Sequence, residues 1–484
     1  MSRSHDSEKP RILLIVPPVE EQYVSIITNT PLLTSIRKYP ALGLGYVASM
    51  LEEKGYHVVY LDMFAMNMHY HEFRQFYQGN PVNLIGITTD MSSLVPAKKI
   101  ASIVHEINDG SKVIIGGINM EIYPEDIMAF PGFDIGVIGE GEYTIIRLLD
   151  ALEKQEDLYG VDSIVFKEDG KTIITSPRDY IRDLDELPFP ARHLMPINHY
   201  VSNTSKRNVI TTMITSRGCP FNCLYCVKES PYRKRSVANV CDEIEHIRYT
   251  LGIKEIMFVD STFSVSVPRA IEICKEIMLR DIDITWEAST RVDCVSKELF
   301  HWMRAAGCVR IQFGVESGDE RVLKILRKGI TLSQARNAVA WAKKAGLEIL
   351  INYMIGCPGD TLASIQKTIN LAIALDSDFA VFTIATAGPG TDMMDIAMEQ
   401  GLASPEVITD FIRGKIKYIP RIIFTTKEYD RKKLDELLSE AYRRFYFRPR
   451  YFLKRLKRIR SLSELWNHIL GFKNVLKEVL RKVK

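Results

Sequence analysis

No apolar run in this 484-residue chain reaches the roughly 18–20 residues that crossing a bilayer takes. The opening MSRSHDSEKPR is polar and has no apolar h-region. A secretory signal is therefore not expected, and the cytoplasm is the expected location. Cysteine is scarce too. Eight in a chain of this length cannot make the dense framework that staples small secreted domains. Low-complexity tracts and internal repeats of roughly 20–50 residues are absent, which excludes solenoids and propellers. Neither charge sign dominates: 63 Lys and Arg stand against 60 Asp and Glu, a net of +3. What remains is an ordinary globular composition, 46% hydrophobic and 25% charged, at a length that suggests two or three domains.

The near-neutral total hides an asymmetry. From Arg443 to Lys484 fourteen Lys or Arg face only Glu464 and Glu478, so this stretch carries +12 and the rest of the chain −9. Within 445–484 aromatic and aliphatic residues alternate with basic ones at helical spacing, with Leu465, Trp466, Ile469 and Leu476 on one wide apolar face. Such a segment lies on an anionic membrane surface, packs on its own protein with a solvated basic face, or grips nucleic acid. Nucleic acid is the least favoured of the three, because no RNA-binding domain accompanies the tail. Membrane contact would place the protein peripherally on the inner membrane face.

Residues 10–154 alternate strand and helix patterns. RILLIV (11–16), HVVYLD (57–62), NLIGITT (83–89), KVIIGG (112–117) and FDIGVIG (133–139) read as buried strands separated by amphipathic helices. That alternation predicts a doubly wound, Rossmann-like sheet, whose ligands bind at the carboxyl ends of the strands. Those ends carry Thr88-Thr89-Asp90, Gly116-Gly117 and Gly139-Glu140-Gly141, and glycine lets backbone approach a large ligand. Residues 155–204 read as a connector with a hairpin turning at Asp169-Gly170. A second α/β series fills 205–425, with six strand patterns between 208 and 386, each followed by a helical one. This predicts a partial (β/α)6 barrel, followed by a basic helical C-terminal region over 426–484.

Directly after the first strand of that series comes Cys219-Pro-Phe-Asn-Cys223-Leu-Tyr-Cys226, a C-x3-C-x2-C spacing. Iron–sulfur clusters are held by thiolates, and three close cysteines satisfy three irons of a cubane and leave the fourth open. An open coordination position is how a metal site accepts substrate. A zinc site is the competing reading, but structural zinc takes four ligands, commonly in two pairs, and no second C-x-x-C exists here. The other five cysteines, Cys241, Cys274, Cys294, Cys308 and Cys357, are expected to be buried free thiols.

TSRGCPFNCLYC, with Tyr225 just before the third cysteine, resembles the radical S-adenosylmethionine (SAM) superfamily. The likeness continues across roughly 205–392 through FVDSTFS, TRVD, FGVESGDERVLKILRKG and MIGCPGDT. It implies that Cys219, Cys223 and Cys226 hold a [4Fe–4S] cluster and are the catalytic centre. The fourth iron would be chelated by SAM, and one-electron reduction would release a 5′-deoxyadenosyl radical. It further implies that Glu316 and Ser317 lie near the SAM ribose or methionine moiety, with Arg291 on a neighbouring strand end. Tyr225 would offer backbone to adenine, and a flavodoxin or ferredoxin would supply the electron.

About 10–150 resembles the B12-binding domain that precedes the barrel in a large branch of these enzymes, through GGINMEIYPED (116–126) and DIGVIGEGE (134–142). By that likeness Gly116, Gly117, Gly139, Glu140 and Gly141 would approach cobalamin. One departure stands out. Where other cobalamin enzymes carry Asp-x-His-x-x-Gly, this chain has Asp62-Met63-Phe64-Ala65-Met66-Asn67. Nearby His69 and His71 are expected to be exposed helix residues. Either cobalt has no lower histidine ligand or the domain has lost cobalamin, the first being expected. The combined resemblance implies a cytoplasmic enzyme that methylates an unactivated carbon of a lipid, isoprenoid or tetrapyrrole-like small molecule. Ring formation or oxidation, a tRNA-modifying activity, and a sensor without catalysis are the alternatives.

Overall fold

A computed structural model describes residues 9–19, 39–201, 205–207, 209–227 and 230–451. The chain divides into two compact units. The first takes in the described residues as far as Tyr200 together with Glu406–Ile419; the second takes in those of Val201–Pro405 and those from Pro420 on.

The first unit is built on one sheet. Strands β1 (Arg11–Val16), β2 (His57–Asp62), β3 (Leu84–Thr88), β4 (Lys112–Gly116) and β5 (Ile135–Val137) are parallel. Two more, β6 (Ile164–Glu168) and β7 (Lys171–Ile174), are antiparallel, and the order is β2-β1-β3-β4-β5-β6-β7. Their apolar side chains, such as Ile12, Leu14, Val58, Ile114 and Ile164, make the core with helices Leu42–Glu53 and Gly141–Glu153. The strand order reverses between β1 and β3, the place where such sheets open a crevice beyond their carboxyl ends.

Hairpin β6–β7 departs from the connector expected for 155–204. Its turn residues Asp169 and Gly170 both have positive φ (50° and 75°), the primed geometry that suits twisted strands. It does not stand apart, however. Ile135 pairs with Phe166 and Val137 with Ile164, which extends the first sheet. The physical reason is β5 itself, three residues long and wholly buried, which would otherwise be a bare apolar edge. A second departure is helix Val407–Ile412, which falls inside the stretch read as barrel yet belongs to this unit. Arg413 pairs with Asp126 at 2.7 Å, and the Lys98 ammonium donates to the Ile412 carbonyl.

The second unit has six parallel strands: β8 (Thr211–Met213), β11 (Glu255–Phe258), β12 (Thr285–Thr290), β13 (Cys308–Glu316), β14 (Glu348–Ile355) and β15 (Phe379–Ile384). They pair in strict chain order from β8 to β15, as a (β/α)6 partial barrel requires. A two-residue antiparallel pair, β9 (Ser216–Arg217) and β10 (Arg233–Lys234), flanks the loop between β8 and β11. Alternation sorts the two faces. On β13, Ile311, Phe313 and Val315 are fully buried, and Phe313 meets Phe300 of helix Lys297–Ala305. Arg310, Gln312 and Gly314 therefore face the barrel interior. Near the amino ends of the strands Arg310 lies between Glu287 (2.5 Å) and Glu348 (2.7 Å), a buried charged group satisfied on both sides.

An open barrel leaves an edge, and β15 is one. Helix Arg431–Tyr446 covers it. The Tyr442 hydroxyl donates to the Phe382 carbonyl (3.0 Å) and accepts from its N–H (3.2 Å). Tyr446 does the same at Ala380 (2.8 and 3.0 Å), and Tyr451 donates to the Asp378 carbonyl (3.0 Å). Three phenols thus occupy alternate backbone positions of the edge strand, where a seventh strand would have paired. Arg444 and Arg448, counted above with the basic tail, are engaged here as well: Arg444 with Glu440 and Asn370, Arg448 with Asp376. The rest of the tail, 452–484, lies outside the described residues. Among the described residues no helix is long and apolar enough to cross a membrane.

Candidate active site

The cysteine loop leaves the carboxyl end of the first barrel strand, and a buried carboxylate fixes its departure. Asp260 accepts from the Thr215 N–H (3.0 Å), the Thr215 hydroxyl (2.8 Å) and the Ser216 hydroxyl (2.5 Å). Burial pushes the Asp260 pKa up, and these hydrogen bonds oppose the rise. Gly218 follows at φ 78°, where a Cβ would sit 2.2 Å from the Ser230 carbonyl oxygen and 2.5 Å from that of Pro231. No other residue fits that turn. Beyond it Cys219 is half-buried, Cys223 buried and Cys226 exposed, and none of the three is in a disulfide. The loop is pinned at its middle: Leu224 N–H donates to the Leu326 carbonyl, and Met393 N–H to the Leu224 carbonyl, both at 3.0 Å. Val227 forms a bridge with Thr391.

Two buried cations converge on this loop. Arg291, at the end of β12, donates from Nη1 to Cys223 Sγ at 3.6 Å and lies over the Phe221 ring at 3.7 Å. Lys328 donates to the Tyr225 hydroxyl (2.8 Å) and to Glu316 Oε1 (3.0 Å); the Tyr225 hydroxyl also donates to that oxygen (3.0 Å). Burial raises the Tyr225 phenol well above its usual range, and the Glu316 carboxylate adds to the rise. Glu316 ends β13 at φ 68°, in the left-handed region, next to a register shift between Gly314 and Glu316. Such a conformation costs about 1–3 kcal/mol in a non-glycine residue, and strain of this kind gathers at functional sites. A Cβ on Gly314 would lie 2.2 Å from the Glu316 carboxylate oxygen, so the strand must be bare where the side chain folds back.

The residues singled out from sequence divide accordingly. Cys223, Tyr225, Arg291 and Glu316 meet in one buried cluster. Ser317, the next residue after Glu316, has its hydroxyl 3.4 Å from that of Thr368 and accepts from the Asp319 N–H (3.2 Å). Lys328 and Phe221 were missed. Lys328 stands inside a stretch quoted for its likeness, but only the fold shows that its ammonium joins a tyrosine 103 residues away. Of the five outlying cysteines, Cys241, Cys274, Cys308 and Cys357 are buried as expected, whereas Cys294 is only half-buried, beside Asp293.

In the first unit the expected glycines do sit at strand ends. Gly117 has φ 107°, and a Cβ there would lie 2.2 Å from the Thr89 carbonyl oxygen, so the loops after β3 and β4 cross in contact. Thr89 N–H donates to the Gly116 carbonyl at 2.9 Å. Gly139 has φ 73°, and Glu140 accepts from the Ile181 N–H at 2.8 Å. Asn119, two residues past Gly117, is buried, and its side-chain N–H has no hydrogen-bond partner among the described residues. His69 and His71 are exposed and stacked on each other at 5.9 Å, with His69 capping helix Tyr70–Gly79. Asp62 accepts from the Ala65 N–H (2.7 Å) and the Tyr200 hydroxyl (2.9 Å), which turns the chain just before Phe64.

Among the described residues no three His, Cys, Asp or Glu side chains converge on a point that one metal ion would fill. A single tetrahedral ion is thus a poor fit for the three thiols. A cubane offers each thiolate its own iron at a separate corner and asks for no such convergence.

Comparison with known proteins agrees with this arrangement. Residues 213–372 match the model of the radical SAM superfamily, and 32–149 that of the B12 binding domain. The chain is 35% identical to an uncharacterized methyltransferase of Pyrococcus horikoshii, over 92% of this chain and 94% of that one. It is 25% identical to an anaerobic magnesium-protoporphyrin IX monomethyl ester cyclase of Rubrivivax gelatinosus, over 84% of this chain and 74% of the relative. Its fold matches that of the radical SAM methyltransferase TsrM from Kitasatospora setae, solved with cobalamin and a [4Fe–4S] cluster bound. The TM-score is 0.72 at 17% identity, over 97% of this chain and 99% of the other. The chain belongs to the radical SAM superfamily, in the branch whose barrel is accompanied by a B12-binding domain.

Proposed function

We propose that this protein is a cobalamin-dependent radical SAM methyltransferase acting on an unactivated carbon of a lipid, isoprenoid or tetrapyrrole-like small molecule. The observation that carries the reading is the C-x3-C-x2-C loop at a barrel strand end, with two buried cations and a strained carboxylate gathered around it. When bound, the cluster supplies the electron that cleaves SAM to a 5′-deoxyadenosyl radical, and cobalamin supplies the transferred methyl group. Cys219, Cys223 and Cys226 would hold the cluster. The paired Lys328 and Glu316 offer opposite charges to the amino-acid end and the ribose of SAM, and Tyr225 ties that pair to the cluster loop. Ser317, held by Thr368 and Asp319 at the end of β13, would lie beside Glu316 near the ribose or methionine moiety of SAM.

In the first unit Gly116 and Gly117, with Gly139 to Gly141, give backbone that a corrin could approach. The unpartnered amide of Asn119 suits a ligand rich in amide acceptors. His69 and His71 are exposed and Phe64 cannot donate to a metal, which supports a cobalt without a lower histidine ligand. An electron donor of the flavodoxin or ferredoxin kind would reduce the cluster. Basic residues beyond Tyr451 interleaved with apolar ones such as Leu465, Trp466, Ile469 and Leu476 favour contact with an anionic membrane surface, and hence a lipid-soluble substrate, over contact with nucleic acid. A ring-forming reaction is the second reading, and the relationship to the Rubrivivax cyclase supports it.

One experiment separates them. Anaerobically reconstituted protein with cobalamin and a reductant is given methyl-labelled SAM and lipid or tetrapyrrole extracts. Methyl transfer predicts label in product and formation of 5′-deoxyadenosine together. Formation of 5′-deoxyadenosine with unlabelled, dehydrogenated or cyclised product would favour the second reading. Absence of SAM cleavage under every reducing condition would overturn both.

A further inference from the structure

Arg291 uses its guanidinium in an unusually complete way. Nε and Nη2 grip the Asp293 carboxylate at 3.0 and 2.8 Å, Nη2 also donates to the Lys328 carbonyl at 2.5 Å, and Nη1 is left for Cys223 Sγ at 3.6 Å. The plane lies over Phe221, a residue of the same loop, at 3.7 Å. The residue is only 6% exposed. Nothing about this group is free to rotate, so the N–H aimed at sulfur is aimed by construction. Lysine could not reproduce it, because an ammonium has no rigid fork and stacks less well on a ring.

We propose that Arg291 sets the reduction potential of the cluster by donating a hydrogen bond to the Cys223 thiolate. This rests on the reading of Cys223 as a cluster ligand. Hydrogen bonds to ligating sulfur are one of the levers that set iron–sulfur potentials. A donor draws electron density from the thiolate and so favours the reduced cluster, which carries one more negative charge. Asp293 neutralises most of the cation, so the cluster feels a directed N–H dipole more than a full positive charge. The effect is therefore moderate and local. Arg291 is a positioning residue in this sense. It acts on the cluster through Cys223, and its clamp to Lys328 links the same contact to the group beside Glu316.

The test compares wild type, Arg291→Gln, Arg291→Lys and Asp293→Asn as reconstituted holoproteins. Iron and sulfide content and visible absorbance report whether a cluster is present. A redox titration followed by electron paramagnetic resonance then reports its midpoint. Arg291→Gln is expected to hold a full cluster whose reduced-to-oxidised ratio at fixed potential falls about tenfold, which is about 59 mV for a one-electron couple. Arg291→Lys should fall in the same direction by less, whereas Asp293→Asn, which removes the negative charge that neutralises the guanidinium, should move the ratio the other way. Wild-type midpoints in cluster-replete Arg291→Gln and Arg291→Lys would overturn the proposal. If Arg291→Gln does not retain its cluster, the other two variants decide, and unchanged midpoints in both would overturn it equally. A wild-type protein without any cluster would instead refute the functional reading itself.

Discussion

The two sheets of this protein solve the same problem with opposite materials. The barrel sheet is parallel throughout and the first sheet is parallel over β1 to β5, and both present their candidate sites at carboxyl strand ends. In the barrel unit the site is made of side chains: thiols, a buried guanidinium, an ammonium and a carboxylate held in strained backbone. In the first unit it is made chiefly of missing side chains, with Gly117 so close to Thr89 that a methyl group would collide. A small inorganic cluster offers few atoms, so each contact must be a strong donor in a set place. A corrin is wide and rimmed by amides, so what it asks first is room and accessible backbone.

The contrast can be broken by a pair of substitutions, and these carry the largest expected effects. Cys223→Ala should abolish cluster assembly and SAM cleavage while cobalamin uptake, followed by its visible spectrum, stays at the wild-type level. Gly117→Val should do the reverse. Its side chain meets the Thr89 carbonyl at 2.2 Å in a backbone conformation that L residues rarely adopt, so cobalamin uptake should be lost while the cluster assembles normally. Loss of both cofactors in either single variant would show that the two sites are not separately built.

The sheets also differ in how they close their edges. Edge strand β7 is largely solvent-exposed, which leaves its outer backbone groups open to water. Edge strand β15 is buried, and the Tyr442 and Tyr446 hydroxyls satisfy its groups instead. Tyr446→Phe keeps the ring packing but leaves the Ala380 N–H and carbonyl unpaired in the interior. Each unsatisfied group costs about 1–3 kcal/mol. Thr172→Val on β7 should change stability by no more than about 0.5 kcal/mol. Trp286, Trp302 and Trp341 lie in the barrel sequence, Trp466 in the tail, and the first unit has no tryptophan, so urea unfolding followed by fluorescence reports on the second unit. Equal midpoints for Tyr446→Phe and wild type would mean that water replaces the phenol. The same geometry bears on the basic tail. Cutting the chain after Arg444 would remove Tyr446 and Tyr451 along with the tail, so a truncation meant to test membrane contact has to spare residues up to 451.

These examples mark what could be read from the chain alone. Local periodicity was enough for the strands, because buried parallel strands are short continuous apolar runs, and KVIIG and EILINYMI announce themselves. The cysteine loop was legible because its chemistry is compressed into eight residues. Hairpin β6–β7 was seen, but not its docking on β5, since nothing local says which edge a hairpin covers. The tyrosines of helix Arg431–Tyr446 sat in a segment whose charge drew the eye, and their spacing acquires meaning only beside an edge strand some 60 residues earlier. Lys328 and Glu316 stand only 12 residues apart, but Tyr225 lies 91 residues before Glu316, and a buried ion pair gives no periodic signal. Arg291 was picked out as a strand-end residue, yet its partner Cys223 is 68 residues away and its contact with sulfur is a product of packing.

The smallest effect belongs to the turn that follows Glu316. Asp319 caps helix Glu320–Ile325 by accepting from the Arg321 and Val322 N–H groups at 3.0 and 3.4 Å, and it pairs with Lys367 at 2.7 Å. Those two roles separate by substitution. Asp319→Asn keeps an N-cap and gives up the ion pair with a mostly exposed lysine, which should cost about 0.2–1 kcal/mol. Asp319→Ala loses the cap as well, worth about 0.5–2 kcal/mol. The hydrogen bond from Lys367, followed by the backbone N–H groups, holds the Asp319 carboxyl below its ordinary range. A carboxyl with a depressed pKa stabilises the fold fully above the unfolded value, about 3.9, and loses that contribution as pH falls through the folded value. The difference in barrel stability between wild type and Asp319→Asn should therefore be constant from neutral pH down to about pH 4 and shrink below it. A difference that instead grows on acidification would mean that the carboxyl is not the group held by Lys367. Because Asp319 N–H also donates to Ser317, a loosened cap would reach the end of β13, and the Ala variant should weaken SAM binding more than the Asn variant does.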